Sequence, residues 1–311
     1  MKKFIKHIII FGCIVLGIYM LLAATINPKY KPTNDYLAIL ALKNERLYRV
    51  SSPKVMFIGG SNLAFGMDTP KLEQAFGRPV VNMGTHAALG MEFMLKEAIP
   101  GINPGDIVIV SPEYLLSLDG DYEIKELASL LFPTSSEYFD FQLIPAISAH
   151  LNRTRKNLAR NFNGDTDLGK QSPYTLKSFN EYGDFTAHWN QDPPEQLKKE
   201  WPLSYRKWRG ISLLNEYNNT FKETGACMYF IFPAYAESEY RKNEKVINYL
   251  YKDIVESLKV DIIGKPIDGV LPDSLFYDTV YHLGKDGVQQ RMQTIIELME
   301  DRSLLDCEVR K

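Results

Sequence analysis

Ser61 follows two glycines at the end of an apolar run, KVMFIGGSN (residues 54–62), and Asp278 and His282 stand close together in DSLFYDTVYHLGKDG (273–287). A serine hydroxyl is a weak nucleophile until a base takes its proton, and an imidazole acting as that base needs a partner to fix its tautomer. The chain supplies all three groups. Read singly, each has an ordinary structural use: Ser61 as a helix cap, Asp278 as a turn residue, His282 as a packing or surface side chain. Asp273 is a second acid in the same block. Asn62, Gly84-Thr85-His86 and Glu113-Tyr114 also follow apolar runs, so their side chains or amides are candidates for the same neighbourhood.

For these segments to meet, the runs before them must be strands of one sheet. KVMFIG (54–59), PVVNMG (79–84), DIVIVSPEY (106–114), ACMYFIFP (226–233) and the weaker VDIIG (260–264) are short and largely apolar, as buried strands are. Helical patterns alternate with them. Thr69-Pro70 opens one helix; 91–99 is amphipathic; 205–223, a stretch marked by Val246 to Leu258, and a last segment from Lys285 follow. Alternation predicts an α/β fold: a three-layer, doubly wound sandwich on a mainly parallel five-stranded sheet, flavodoxin-like in layout. Right-handed crossovers place every strand's C-terminal end on one edge, where ligands of such sheets bind.

The sheet pattern is lost between about 115 and 205, with helical pieces expected near 122–131 and 136–150. We read this stretch as an inserted lid. It carries Tyr174, Tyr182, Phe185, His188, Trp189, Trp201 and Tyr205, with Trp208 just beyond. These aromatics suit either the lid's own core or the faces of sugar rings.

The N-terminus differs from the rest. Lys2, Lys3 and Lys6 precede an uncharged run from Ile8 to Ile26, which reaches the roughly 20 residues needed to span a bilayer. It exceeds the roughly 7–15 apolar residues of a cleaved signal, so residues 1–27 read as a membrane anchor, with removal after Leu22-Ala23-Ala24-Thr25 as the alternative. Residues 28–53 are a linker and helix, and 54–311 the α/β domain. Lysines flank both ends of the anchor, so charge bias decides orientation weakly; the signal-like start favours a single pass through a bacterial cytoplasmic membrane with the domain outside. Cys13 lies in the apolar run, Cys227 in an expected strand and Cys307 in the polar tail. No disulfide framework is expected from them.

Composition excludes some classes. The chain is 45% hydrophobic and 24% charged, with a net charge of −2, and no basic stripe suits a nucleic acid. No His/Cys cluster has metal-ligand spacing, and Gly59-Gly60 lacks the Lys-Ser/Thr of a phosphate loop. No metal or cofactor is expected.

FIGGSN, VVNMGTHA and the late Asp/His block together resemble the SGNH (GDSL-type) hydrolase superfamily. The likeness covers about residues 54–300 apart from the insertion. With its anchor, the chain looks most similar to the membrane-attached, extracytoplasmic branch that includes teichoic-acid D-alanine transfer and alginate O-acetylation proteins. The resemblance implies ester hydrolysis or O-acyl transfer, of acetyl groups first among others, on a cell-envelope or extracellular polysaccharide. It implies Ser61 as nucleophile, His282 as general base, Asp278 as its orienting acid, and the N–H groups of Ser61 and Gly84 as oxyanion donors. Two departures stand out. Where the family's third block carries an oxyanion Asn, VSPEY offers Glu113, whose carboxylate repels an oxyanion unless it points elsewhere, is protonated or does another job; Asn62 compensates only if its side chain turns inward. Asp278 and His282 are also separated by three residues rather than two. The alternative is a non-catalytic SGNH-like protein that binds glycan or serves an integral-membrane acyltransferase. A lipase-type esterase is a weaker third reading, because the lid is polar.

Overall fold

The computed structural model describes residues 1–30, 33–163, 173–192, 194–198, 202–300, 304–305 and 307. The expected Trp201 aromatic, part of the linker and part of the insertion lie outside them.

Five strands form one parallel sheet: β1 (Val55–Ile58), β2 (Val80–Asn82), β3 (Ile107–Val110), β4 (Cys227–Ile231) and β6 (Asp261–Ile263), in the order β2-β1-β3-β4-β6. All four residues of β1 and of β3 are buried, which explains why these strands read as continuous rather than alternating apolar runs. Register is fixed across the centre, with Phe57 opposite Ile109 and Ile109 opposite Tyr229. Chain order reverses at β1, since β2 lies on one side of it and β3 on the other. The crevice beyond the C-terminal ends of β1 and β3 is therefore a topological switch point, the position where open α/β sheets bind ligands. Two further two-residue strands, β5 (Tyr235–Ala236) and β7 (Val270–Leu271), pair with each other; no sequence pattern marks them.

The helices are α1 (Lys2–Ile26), α2 (Ile39–Arg49), α3 (Ser61–Ala64), α4 (Thr69–Phe76), α5 (Met91–Ala98), α6 (Tyr122–Leu131), α7 (Leu143–Phe162), α8 (Gly210–Glu223), α9 (Glu237–Ser257) and α10 (Lys285–Glu300). α4 shows how local chemistry sets bounds. Asp68 caps it by accepting from the Lys71 N–H at 3.3 Å, proline occupies its first turn, and Gly77 ends it at φ +63°, a conformation that favours glycine. In the insertion, α6 matches expectation, and the helical stretch expected near 136–150 forms in two parts. Pro133–Tyr138 is a 3₁₀ helix and α7 starts only at Leu143.

α1 is apolar and long enough to cross a membrane. At 25 residues it is about 37 Å long, against roughly 30 Å of bilayer hydrocarbon.

One sequence expectation is corrected outright. Cys227, at the start of β4, is disulfide-bonded to Cys307, eighty residues later. The pairing escaped the sequence because only folding brings the polar tail back to the base of β4; Cys13 remains free.

Candidate active site

The turn after β1 is built by close approach. A β-carbon on Gly59 would lie 2.3 Å from the Ser111 carbonyl oxygen, and one on Gly60 would lie 2.3 Å from both carboxylate oxygens of Glu113. The two glycines therefore let the end of β1 pass against the end of β3. Gly60 is the N-cap residue of α3, and Ser61 is its first residue, so the Ser61 N–H belongs to a first turn with no helical acceptor.

Glu113 fills the space that the glycines leave. Its Oε1 accepts from the Asn62 N–H at 3.1 Å and, at the limit of hydrogen bonding, from Ser61 Oγ at 3.5 Å. Its Oε2 is buried with no partner among the described residues. Burial pushes the Glu113 carboxyl up from the ordinary range, while the Asn62 amide and the His282 charge pull the other way without cancelling it. A carboxyl so placed favours its neutral form.

Asp278 and His282 lie in neither a helix nor a regular strand but in a turn ahead of α10. That turn is tied down from several sides. Tyr277 N–H donates to the His282 carbonyl at 2.8 Å, Lys198 N–H to the Asp278 carbonyl at 2.8 Å, and Ala236 N–H to the Val280 carbonyl at 3.1 Å. Tyr114 N–H, in the loop that follows β3, donates to the Tyr281 hydroxyl at 3.2 Å. Within the turn, His282 Nδ1 and Asp278 Oδ1 are 2.8 Å apart, and Tyr174 donates its hydroxyl to Asp278 Oδ2. Burial alone would raise the Asp278 carboxyl; the hydrogen bond and charge of His282 and the Tyr174 hydroxyl outweigh it and hold the group below its ordinary value. An ionised Asp278 accepts, so His282 carries its proton on Nδ1 and leaves Nε2 free as a base.

Serine and histidine are linked by aromatic packing. Phe65, which closes α3, stacks on the His282 ring with centroids 3.9 Å apart and planes 6° apart. On its other side it stacks on Phe185 at 4.0 Å, and Phe185 N–H donates to the Ala64 carbonyl at 2.8 Å. His188 supports the residue after His282, since its Nε2 lies 2.7 Å from the Leu283 carbonyl. The insertion thus supplies Tyr174, Phe185 and His188 to the walls of the site. Trp208 instead anchors locally, donating to the Leu116 carbonyl at 2.8 Å.

Other expected residues have different occupations. Gly84 N–H donates to Asn82 Oδ1 at 2.8 Å, so this amide is already engaged rather than open to an oxyanion. A β-carbon on Gly84 would meet Leu63 Cβ at 2.4 Å and the Ala64 nitrogen at 2.7 Å; glycine here admits α3. Asn62 turns its amide to the Ser111 carbonyl at 2.9 Å and so braces β3. Asp273 Oδ1 accepts from the Ser238 N–H at 3.0 Å, at the start of α9, away from the imidazole. His86 is exposed, and its Nδ1 accepts from the Ala88 N–H at 3.1 Å. Thr85 is buried.

Three supporting residues carry no local signal in the sequence. Phe65 is an apolar residue after a short helix, Tyr174 lies in an aperiodic insertion, and Asn82 reads as part of a strand. A serine, a histidine and two acids at neighbouring strand ends could have flagged them only through the fold. Among the described residues no group of three or more His, Cys, Asp or Glu is placed to hold a metal ion. A cavity of about 390 Å³ lies beside the Asp278 turn, bordered by Lys198, Glu239, Lys242, Asp273, Phe276 and Val280. Neither Ser61 nor His282 borders it, so we give it no part in the chemistry. The chain matches no protein-family model and no curated protein.

Proposed function

We propose that the protein is an SGNH-like serine esterase or O-acyltransferase, with a flavodoxin-like three-layer domain whose insertion forms a lid over the site. The observation that carries the reading is the Asp278–His282 pair, oriented by Tyr174 and stacked on the helix that begins with Ser61. In the proposed reaction, Ser61 Oγ attacks an ester carbonyl and its proton passes to His282 Nε2. The tetrahedral intermediate expels the alcohol, which takes that proton, leaving an acyl-serine. Water or a sugar hydroxyl then gives its proton to His282 and attacks the acyl carbonyl; collapse expels Ser61 Oγ, which takes that proton back from His282, and releases the acid or the new ester. Ser61 Oγ is bonded to Glu113 rather than to His282 before substrate binds, and such contacts commonly tighten only in the complex.

The oxyanion needs donors. Ser61 N–H is one. The other is Glu113 itself, kept neutral by burial, with the proton on Oε2 where the family pattern has an amide. The substrate class is an acylated polysaccharide of the cell envelope, acetyl esters first. α1 anchors the chain in a bacterial cytoplasmic membrane as a single span with the domain outside. The Cys227–Cys307 disulfide supports that placement, because such bonds persist mainly in oxidising compartments.

A second reading is supported by the same site. With Gly84 N–H and Ser61 Oγ both engaged elsewhere, the domain would bind glycan or assist an integral-membrane acyltransferase without catalysis. Hydrolysis of a small aryl acetate by the full chain in detergent separates the two. Catalysis predicts turnover that falls by about 10⁴–10⁶-fold in Ser61→Ala and His282→Ala. Glycan binding that survives Ser61→Ala, with no turnover by the wild type, would favour the second reading.

A further inference from the structure

The insertion exposes an apolar surface that the catalytic reading does not use. α6 and α7 are joined as a helical hairpin: Glu126 pairs with Arg153 at 3.5 Å and Glu123 with Lys156, while Tyr122, at the start of α6, meets Phe139 edge-on at 5.6 Å just before α7. Where α7 begins, Phe141, Leu143, Ile144 and Ile147 are exposed, Ile144 at 80% and Phe141 at 73%. Exposed apolar clusters of this kind mark interaction surfaces.

The neighbouring helix says what covers it. α7 packs against the C-terminal part of α1: Tyr19 meets the His150 ring edge-on at 5.9 Å, and its hydroxyl lies 3.4 Å from Thr154 Oγ1. Asn27 donates to Thr154 Oγ1 at 3.1 Å and accepts from Asn157 Nδ2 at 3.0 Å. From Tyr19 on α1 to Asn27 at its C-cap, the partners advance from His150 to Asn157 on α7, so the two helices run in the same sense. The residues of α7 before His150 therefore extend beside the part of α1 before Tyr19, which is its apolar, solvent-facing stretch. Polarity changes at the same level: α7 is apolar from Leu143 to Ala149 apart from Ser148, and beyond it carries Arg155 and Arg160 as well as the paired Arg153 and Lys156. Apolar residues in hydrocarbon with cations toward headgroup depth is the layout of a helix whose apolar end enters a leaflet.

We propose that the first turns of α7 in this hairpin are seated in the lipid leaflet beside α1, with Arg155 and Arg160 of its second half toward anionic headgroups. The domain then has two membrane attachments, which fix its tilt as well as its distance from the bilayer. The proposal rests on α1 being retained in the membrane and is independent of whether Ser61 is catalytic.

The test uses the full chain in vesicles of phosphatidylcholine and phosphatidylglycerol. Cys13, the free and exposed cysteine within α1, is labelled with an environment-sensitive fluorophore as the lipid reference. In a Cys13→Ser background, Ile144→Cys and Phe141→Cys report the hairpin and Val255→Cys, on exposed α9, reports solvent. Quenching by spin-labelled lipid at both hairpin sites that approaches the Cys13 value and is several-fold above Val255 is expected. Hairpin labels quenched by aqueous iodide as strongly as Val255 would overturn the proposal. Labels shielded from both quenchers would also overturn it and point to a protein partner, such as a second copy. A Cys13 label outside lipid would remove its premise.

Discussion

Glu113→Gln is the most informative substitution. It keeps an acceptor for the Asn62 N–H, held at 3.1 Å by Oε1, and supplies an amide donor that does not titrate. Burial raises the Glu113 carboxyl above its ordinary range, so the donor form persists at low pH and is lost as pH rises through the raised folded value. Wild-type kcat should therefore fall on the alkaline side, while Glu113→Gln keeps activity within a few-fold and lacks that fall. Glu113→Ala removes the donor altogether, an effect of about 10²–10³ in kcat or ~2.7–4 kcal/mol. It also strands the buried Asn62 N–H, at about 1–3 kcal/mol of stability. The stability sign follows the same linkage: stability from neutral Glu113 is present at low pH and lost above its folded value, so Glu113→Gln should unfold less readily than wild type in alkaline buffer. Rates of aryl acetate hydrolysis across pH, with thermal melts on the same samples, supply both readouts. A Glu113→Gln protein as inactive as Ser61→Ala, with wild-type activity rising with pH, would refute the reasoning and make Glu113 an anionic base.

Asp278→Asn should lower kcat by about 10⁴-fold by disturbing the imidazole tautomer. Because the Asp278 carboxyl is held below its ordinary value, its contribution to stability is present above the unfolded value and lost as pH falls through the folded one; acid melts of wild type and variant should converge there. Gly60→Ala places a β-carbon 2.3 Å from both Glu113 oxygens, so it should displace that carboxyl and slow Ser61 chemistry while circular dichroism still shows a folded chain. Cys227→Ser opens an eighty-residue covalent loop and should cost about 2–4 kcal/mol in denaturant unfolding, an effect that reductant reproduces on wild type.

The sheet could be read from the chain because its strands are buried on both faces, as the apolar runs of β1 and β3 show. Its edge followed from topology, and the edge is why Ser61, Glu113 and the Asp278 turn come together. The supporting contacts were not legible. Tyr174 reaches Asp278 across 104 positions, and the Cys227–Cys307 bond depends on where the tail returns. Such long-range contacts leave no periodic trace, because each is one side chain meeting one partner. Three residues between Asp278 and His282 suit either one face of a helix or a loop, and the backbone bonds from Lys198, Ala236 and Tyr277 hold the loop.

Whether Ser61 is an activated nucleophile decides the central claim. Intact-mass analysis of the full chain after exposure to a fluorophosphonate, with peptide mapping, measures it directly. The account predicts one adduct, mapped to Ser61, absent from Ser61→Ala and formed far more slowly in His282→Ala. A folded wild-type protein that takes up no adduct, or takes it up at another residue, would contradict it.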